Sequence, residues 1–105
     1  MKISLYHNHY NEQHLEEVKQ EMIKLGAPSI RAIWSECYGM WMAVEGCHRL
    51  RAAKELGIMP IIIDISAKRQ ATIQDDGENK KRSVKQLTAE LEESCWKRQY
   101  ISFDL

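Results

Sequence analysis

Residues 44–57 read Val44-Glu45-Gly46-Cys47-His48-Arg49-Leu50-Arg51-Ala52-Ala53-Lys54-Glu55-Leu56-Gly57. An apolar, strand-like run ends at Val44. Gly46 gives the chain a flexible corner, and a helix opens at Cys47 and closes at Gly57. Cys47, His48 and Arg49 occupy its first turn. Free amides at a helix start, with the positive end of the helix dipole, form an anion site. Arg49 and Arg51 can add charge-assisted hydrogen bonds to phosphate oxygens. The stretch reads as a glycine-cornered phosphate cradle with a cysteine in its throat.

On the N-terminal side, Lys2 to Tyr6 reads as a short strand and residues 7–11 as a polar turn. Asn11 can cap a helix from Glu12 to Leu25, whose apolar stripe is Leu15, Val18, Met22 and Leu25. Gly26 and Pro28 end it. Ile30–Trp34 and Met40–Val44 pair as a hairpin across Ser35–Gly39. On the C-terminal side, the β-branched run Ile58–Ile65 predicts a strand buried on both faces, with Pro60 marking an edge or entry position.

Composition shifts at Ser66, and residues 67–82, centred on Asp75-Asp76-Gly77, predict a charged loop. Ser83 and Gln86 make a capping-box pattern for a last helix with the stripe Val84, Leu87, Leu91 and Cys95. Tyr100–Leu105 ends as a short edge strand. The expected division is a core over residues 1–66, the loop over 67–82, and a helix and tail over 83–105 that pack on or extend the core.

A chain of 105 residues suits one small domain. Fifteen basic and fifteen acidic residues balance to a net charge of zero, which argues against a strong nonspecific nucleic-acid binder. Three widely spaced cysteines without a Cys-x-x-Cys pair, and no secretory leader pattern, predict free thiols in the cytoplasm. No apolar run approaches the roughly 18 residues of a membrane span.

Gly46, His48, Arg49, Ala52, Ala53, Gly57 and Pro60 fall in the order of a strand, a Gly-x-[His/Arg]-Arg helix start and a Gly-x-x-x-Pro step into another strand. In this the chain resembles the ParB/sulfiredoxin superfamily. The first helix, from Asn11 through Gly26 and Pro28, is similar to that of ParB-like domains. The resemblance implies an α+β fold: a small mixed sheet with packed helices, plus an extra C-terminal helix. Gly46-Cys47-His48-Arg49 matches the sulfiredoxin tetrad, in which the cysteine attacks an activated sulfinic acid and His and Arg contact ATP phosphates. The ParB branch instead holds CTP phosphates, and Glu78-Asn79-Lys80-Lys81-Arg82 resembles its second box, Glu-Asn-x-x-Arg, which reaches triphosphate and metal.

The resemblance implies a stand-alone module that binds ATP or CTP through residues 45–51, with Glu78, Asn79 and Arg82 as further contacts. Mg²⁺ would ride on the phosphates, helped by Glu78. Hydrolysis would need a base, for which Glu45 is the candidate. A role linked to DNA, plasmid or phage processes follows from the same likeness. Other expectations stay open. One is a sulfiredoxin-like reductase in which the helix start and its neighbours activate Cys47. Another is a nuclease or small-molecule kinase. A third is a non-catalytic interaction or inhibitor module that docks a protein partner, or a second copy, through the C-terminal helix with Cys95 and Trp96. The bland alternatives are a small residue filling a corner for Cys47, an ion pair with Glu45 or Glu55 for Arg49, and a hydrogen-bonded side chain for His48. His7 and His9, with His14 nearby, could hold zinc or nickel, but no cysteine accompanies them in sequence. Lys80-Lys81-Arg82 reads as a solvated run that contacts nucleic acid only in company with Lys68 and Arg69.

Overall fold

Each helix boundary has a residue that causes it. In the computed structural model, which describes residues 1–104, α1 (Glu12–Leu25) follows Asn11, whose side-chain oxygen accepts the His14 N–H at 2.9 Å. Gly26 ends it, donating its N–H to the Met22 carbonyl. α2 (Cys47–Leu56) lies between Gly46 and Gly57, both left-handed, with φ of 75° and 68°. α3 (Val84–Glu93) starts at Ser83, whose hydroxyl accepts the Gln86 N–H at 3.3 Å.

The strands are β1 (Lys2–Ser4), β2 (Ser29–Ser35), β3 (Met40–Ala43), β4 (Ile61–Asp64), β5 (Gln70–Asp75), β6 (Glu78–Ser83) and β7 (Tyr100–Ser102). Five form a mixed sheet in the order β4-β2-β3-β1-β7. β1 runs parallel to β3 and β4 parallel to β2, while β2–β3 and β1–β7 are antiparallel. Among the described residues this is a small α+β fold with a mixed sheet and three α-helices.

Strand alternation divides the core into two layers. One sheet face carries Ile3, Ile30 and Ala43, and packs against Leu15 and Met22 of α1 and Leu50 and Ala53 of α2. The other carries Ile33, Met42 and Val44. It packs against Ala71 and Ile73 of β5 and Val84, Leu87 and Leu91 of α3.

Two expectations change. Residues 67–82 are not a loop: β5 and β6 pair antiparallel from Gln70↔Ser83 to Asp75↔Glu78. Asp76 and Gly77 make the two-residue turn with φ of 50° and 79°, the pattern of a type I′ hairpin. Ala71 and Ile73 supply its buried face, so the ribbon is anchored by its apolar side while its polar side faces out. The β-branched run is also not buried on both faces. β4 is an edge strand, as Pro60 suggested, and Ile61 and Ile63 are 55% and 43% exposed because the hairpin and α3 cover only the middle of the sheet.

No helix is long and apolar enough to cross a membrane among the described residues.

Candidate functional site

The parallel pair β1 and β3 end at the same side of the sheet, and both lead toward helices. Tyr6 and His7 follow β1; Glu45 and Gly46 follow β3. Their meeting point opens a cleft of about 560 Å³, bounded by α1, the start of α2 and the polar face of the β5–β6 hairpin. A crevice beyond strand carboxyl ends is a common ligand position in open sheets, and this volume lies in the range of small-molecule pockets.

The floor is the start of α2. Its first intrahelical bond is Leu50 N–H to the Gly46 carbonyl at 2.8 Å, so the amides of residues 47–49 have no partner within the helix. No side chain caps them. Gly46 is required twice over: its φ is left-handed, and a Cβ there would come within 2.5 Å of Ile30 Cδ1.

Charge is arranged around this corner. Glu45 accepts the backbone N–H of Arg31 and one Arg31 guanidinium nitrogen, each at 3.0 Å. Arg49 donates to the Ser29 carbonyl at 3.0 Å and lies 3.8 Å from the same Glu45 carboxylate, with its side chain 40% exposed. Burial opposes ionisation of Glu45. The hydrogen bonds and charge of Arg31, joined by Arg49, outweigh it and hold the carboxyl below the usual range. Such a clamped carboxylate orients two guanidinium groups and is a poor proton acceptor at neutral pH.

His48 closes another side. Its Nε2 accepts the Asn11 N–H at 3.0 Å, which places the proton of the neutral ring on Nδ1. The His14 ring meets it edge-on at 4.5 Å. Burial first, then the nearby His14, His7 and Arg51, depresses the His48 pKa.

The cleft brings together Glu45, Gly46, Cys47, His48, Arg49 and Asn79. Cys47 is only 5% exposed and belongs to the core layer beneath α1 and α2. Three expected contacts are elsewhere. Arg51 donates to the Asn8 carbonyl and to Gln99, at 3.0 and 2.7 Å, and stacks on Tyr10, so it ties the segment after β1 to the C-terminal segment. Glu78 and Arg82 lie on the strand side opposite Asn79. Arg82 pairs with Glu90 of α3, and Glu78 sits beside the turn, opposite Asp75. A Glu-Asn-x-x-Arg box written on a strand is thereby split, with only Asn79 toward the cleft.

The sequence reading missed Arg31, Thr72 and Gln74, which also line the cleft. Gln74 pairs opposite Asn79 in the ladder. Asp76-Gly77 between residues of alternating character was the available signal, since it is a strong hairpin marker.

The last helix and the histidines also find their places. Val84, Leu87 and Leu91 of α3 are buried, so the helix spends its apolar stripe inside the molecule. α3 stops at Glu93, and Cys95, expected on the same stripe, is buried in the 3-10 turn Cys95–Lys97 that follows, where Trp96 is 74% exposed. The His7 and His9 rings lie 5.9 Å apart. Among the described residues no group of three or more His, Cys, Asp or Glu side chains is placed to hold a metal ion. No protein-family model, curated protein or solved structure matches this chain.

Proposed function

We propose that this chain is a ParB/sulfiredoxin-like module that binds a nucleoside triphosphate, ATP or CTP, with the phosphates on the start of α2. The observation that carries the reading is the open first turn of α2. Three helix amides without an intrahelical partner belong to residues that line a polar cleft, beside an Arg49 held half-exposed by Ser29 and Glu45. Such amides and the helix dipole favour an anion, and guanidinium is suited to phosphate. Arg31, fixed by Glu45, adds a second cation at the cleft wall. Thr72, Gln74 and Asn79 supply hydroxyl and amide groups for the rest of the ligand. A divalent cation would be carried by the phosphates themselves, since Glu78 points away from the cleft.

Binding is favoured over the reductase alternative by the burial of Cys47, since a thiolate must reach a sulfinic acid on another molecule to attack it. Glu45, committed to Arg31, supports a role in positioning cations rather than in abstracting a proton. The test is thermal unfolding with ATP, CTP, ADP and pyrophosphate, each with and without Mg²⁺. A ligand at a hundredfold over Kd stabilises by about 2.7 kcal/mol, which raises Tm by roughly 10 °C or more in a domain this size. The expected result is stabilisation by one nucleotide series, lost in Arg49→Ala and kept in Cys47→Ser. Failure of all four ligands, or an equal shift in Arg49→Ala, would overturn the reading.

A further inference from the structure

The net charge of zero conceals segregation. Glu12, Glu16, Glu17 and Glu21 lie along α1, and Glu90, Glu92 and Glu93 crowd the end of α3. The opposite sign collects at the base of the β5–β6 hairpin. Lys68, Lys81 and Arg31 line a groove of about 410 Å³. Lys68 also borders a second groove, of about 480 Å³, with Arg69 and Lys85. No carboxylate lines either groove among the described residues. Arg31 pairs with Glu45. Lys68, Arg69, Lys81 and Lys85 are exposed and form no ion pair among the described residues. The hairpin is what brings Lys81 beside Lys68, two positions far apart along a loop.

We propose that this track, which meets the α2 cleft at Arg31 and Thr72, binds the phosphodiester backbone of duplex nucleic acid through the four lysine and arginine side chains that lie outside that cleft. Successive cations along linked grooves match a linear polyanion. The flanking groups are small hydrogen-bonding ones, Ser66, Gln70, Thr72 and Thr88, of the kind that contact phosphate oxygens. The apolar lining residues Ile65, Ala71 and Val84 are buried, at 1%, 9% and 3% exposure, so nothing there anchors the side chains of an acidic peptide. No aromatic ring lines either groove, which removes the stacking platform that single-strand binders use. Asp75, Asp76 and Glu78 make the hairpin tip acidic, so the backbone crosses the base of the ribbon rather than its tip.

The experiment is fluorescence anisotropy with a labelled random-sequence duplex, the matching single strand, and unlabelled polyglutamate as competitor. Four contacts at a slope of about −0.9 each should weaken duplex binding about a hundredfold between ~50 and ~200 mM salt. Lys68→Ala, Lys81→Ala and Lys85→Ala should each flatten the slope by about 0.9. Lys24→Ala, on the acidic face of α1, should leave it unchanged. The substituted side chains are exposed, and circular dichroism confirms that each variant is folded. The proposal is overturned by absent duplex binding at ~50 mM salt, by slopes that ignore the three lysines, by clear preference for the single strand, or by polyglutamate competing as well as duplex.

Discussion

Two kinds of helix start coexist in this small fold. α1 and α3 begin with side-chain caps, Asn11 and Ser83, which satisfy an orphan amide from within. α2 begins with a left-handed glycine and no cap, and it does so at the edge of the largest cleft described above. A capped start is finished local structure. An uncapped start that faces a polar cleft beside guanidinium groups keeps its hydrogen-bonding capacity for a guest. Backbone and packing both favour glycine at this start, since φ is left-handed and a Cβ at position 46 would come within 2.5 Å of Ile30 Cδ1.

The contrast can be broken most forcefully at Gly46. Gly46→Asn supplies a side chain able to cap, but its Cβ must push Ile30 aside. Destabilisation of about 1–3 kcal/mol in urea titration is expected, with loss of any nucleotide-dependent shift. Full ligand response in that variant would separate the site from the open turn. At the capped starts, Asn11→Ala should cost about 1 kcal/mol. Ser83→Ala should cost less, because its bond is longer, 3.3 against 2.9 Å. A reversed order would show that cap geometry does not set these boundaries.

Acid should weaken the α2 corner in two stages. The folded chain holds His48 below the ordinary imidazole value of about 6.5. Unfolding therefore takes up a proton there. Its contribution is complete above about pH 6.5 and is lost as pH falls through the depressed folded value. Glu45, also depressed, gives stability that is present above the ordinary carboxylate value and lost as pH falls through its lower folded one. Urea midpoints from pH 8 to 3 should show the first decline vanish in His48→Gln and the second in Glu45→Gln. The smallest effect is expected for Arg49→Ala without ligand, within about 0.5 kcal/mol of wild type, whereas the proposed site predicts that the same change removes any stabilisation by nucleotide.

What could be read in advance follows how local each signal is. The ends of α1 and α2 are set by Asn11, Gly26, Gly46 and Gly57, residues whose backbone preferences act within a turn, and both helices span the residues expected. The β5–β6 ribbon escaped because its exposed positions, among them Gln70, Thr72, Gln74, Asn79 and Lys81, resemble a solvated loop in composition. Its strand character rests on Ala71, Ile73 and the Asp76-Gly77 turn alone. That error carried with it the expectation of a second nucleotide-binding box at Glu78, Asn79 and Arg82. A strand sends Asn79 toward the cleft and Glu78 and Arg82 away, an outcome fixed by period rather than by residue type. Arg51 was misplaced for another reason: its partners Asn8 and Gln99 come from segments distant in sequence. Ile61 and Ile63 look like core in composition, and only the order of the strands makes them an edge.

The most direct measurement follows backbone amides by ¹⁵N-edited NMR while ATP or CTP with Mg²⁺ is added. Phosphate seated on the open turn of α2 should move the amide signals of Cys47, His48 and Arg49 furthest, leaving those of the capped turns at His14 and Gln86 nearly still. Unmoved signals at 47–49 under saturating nucleotide, or equal shifts at all three helix starts, would contradict the claim that this turn is held open for an anion.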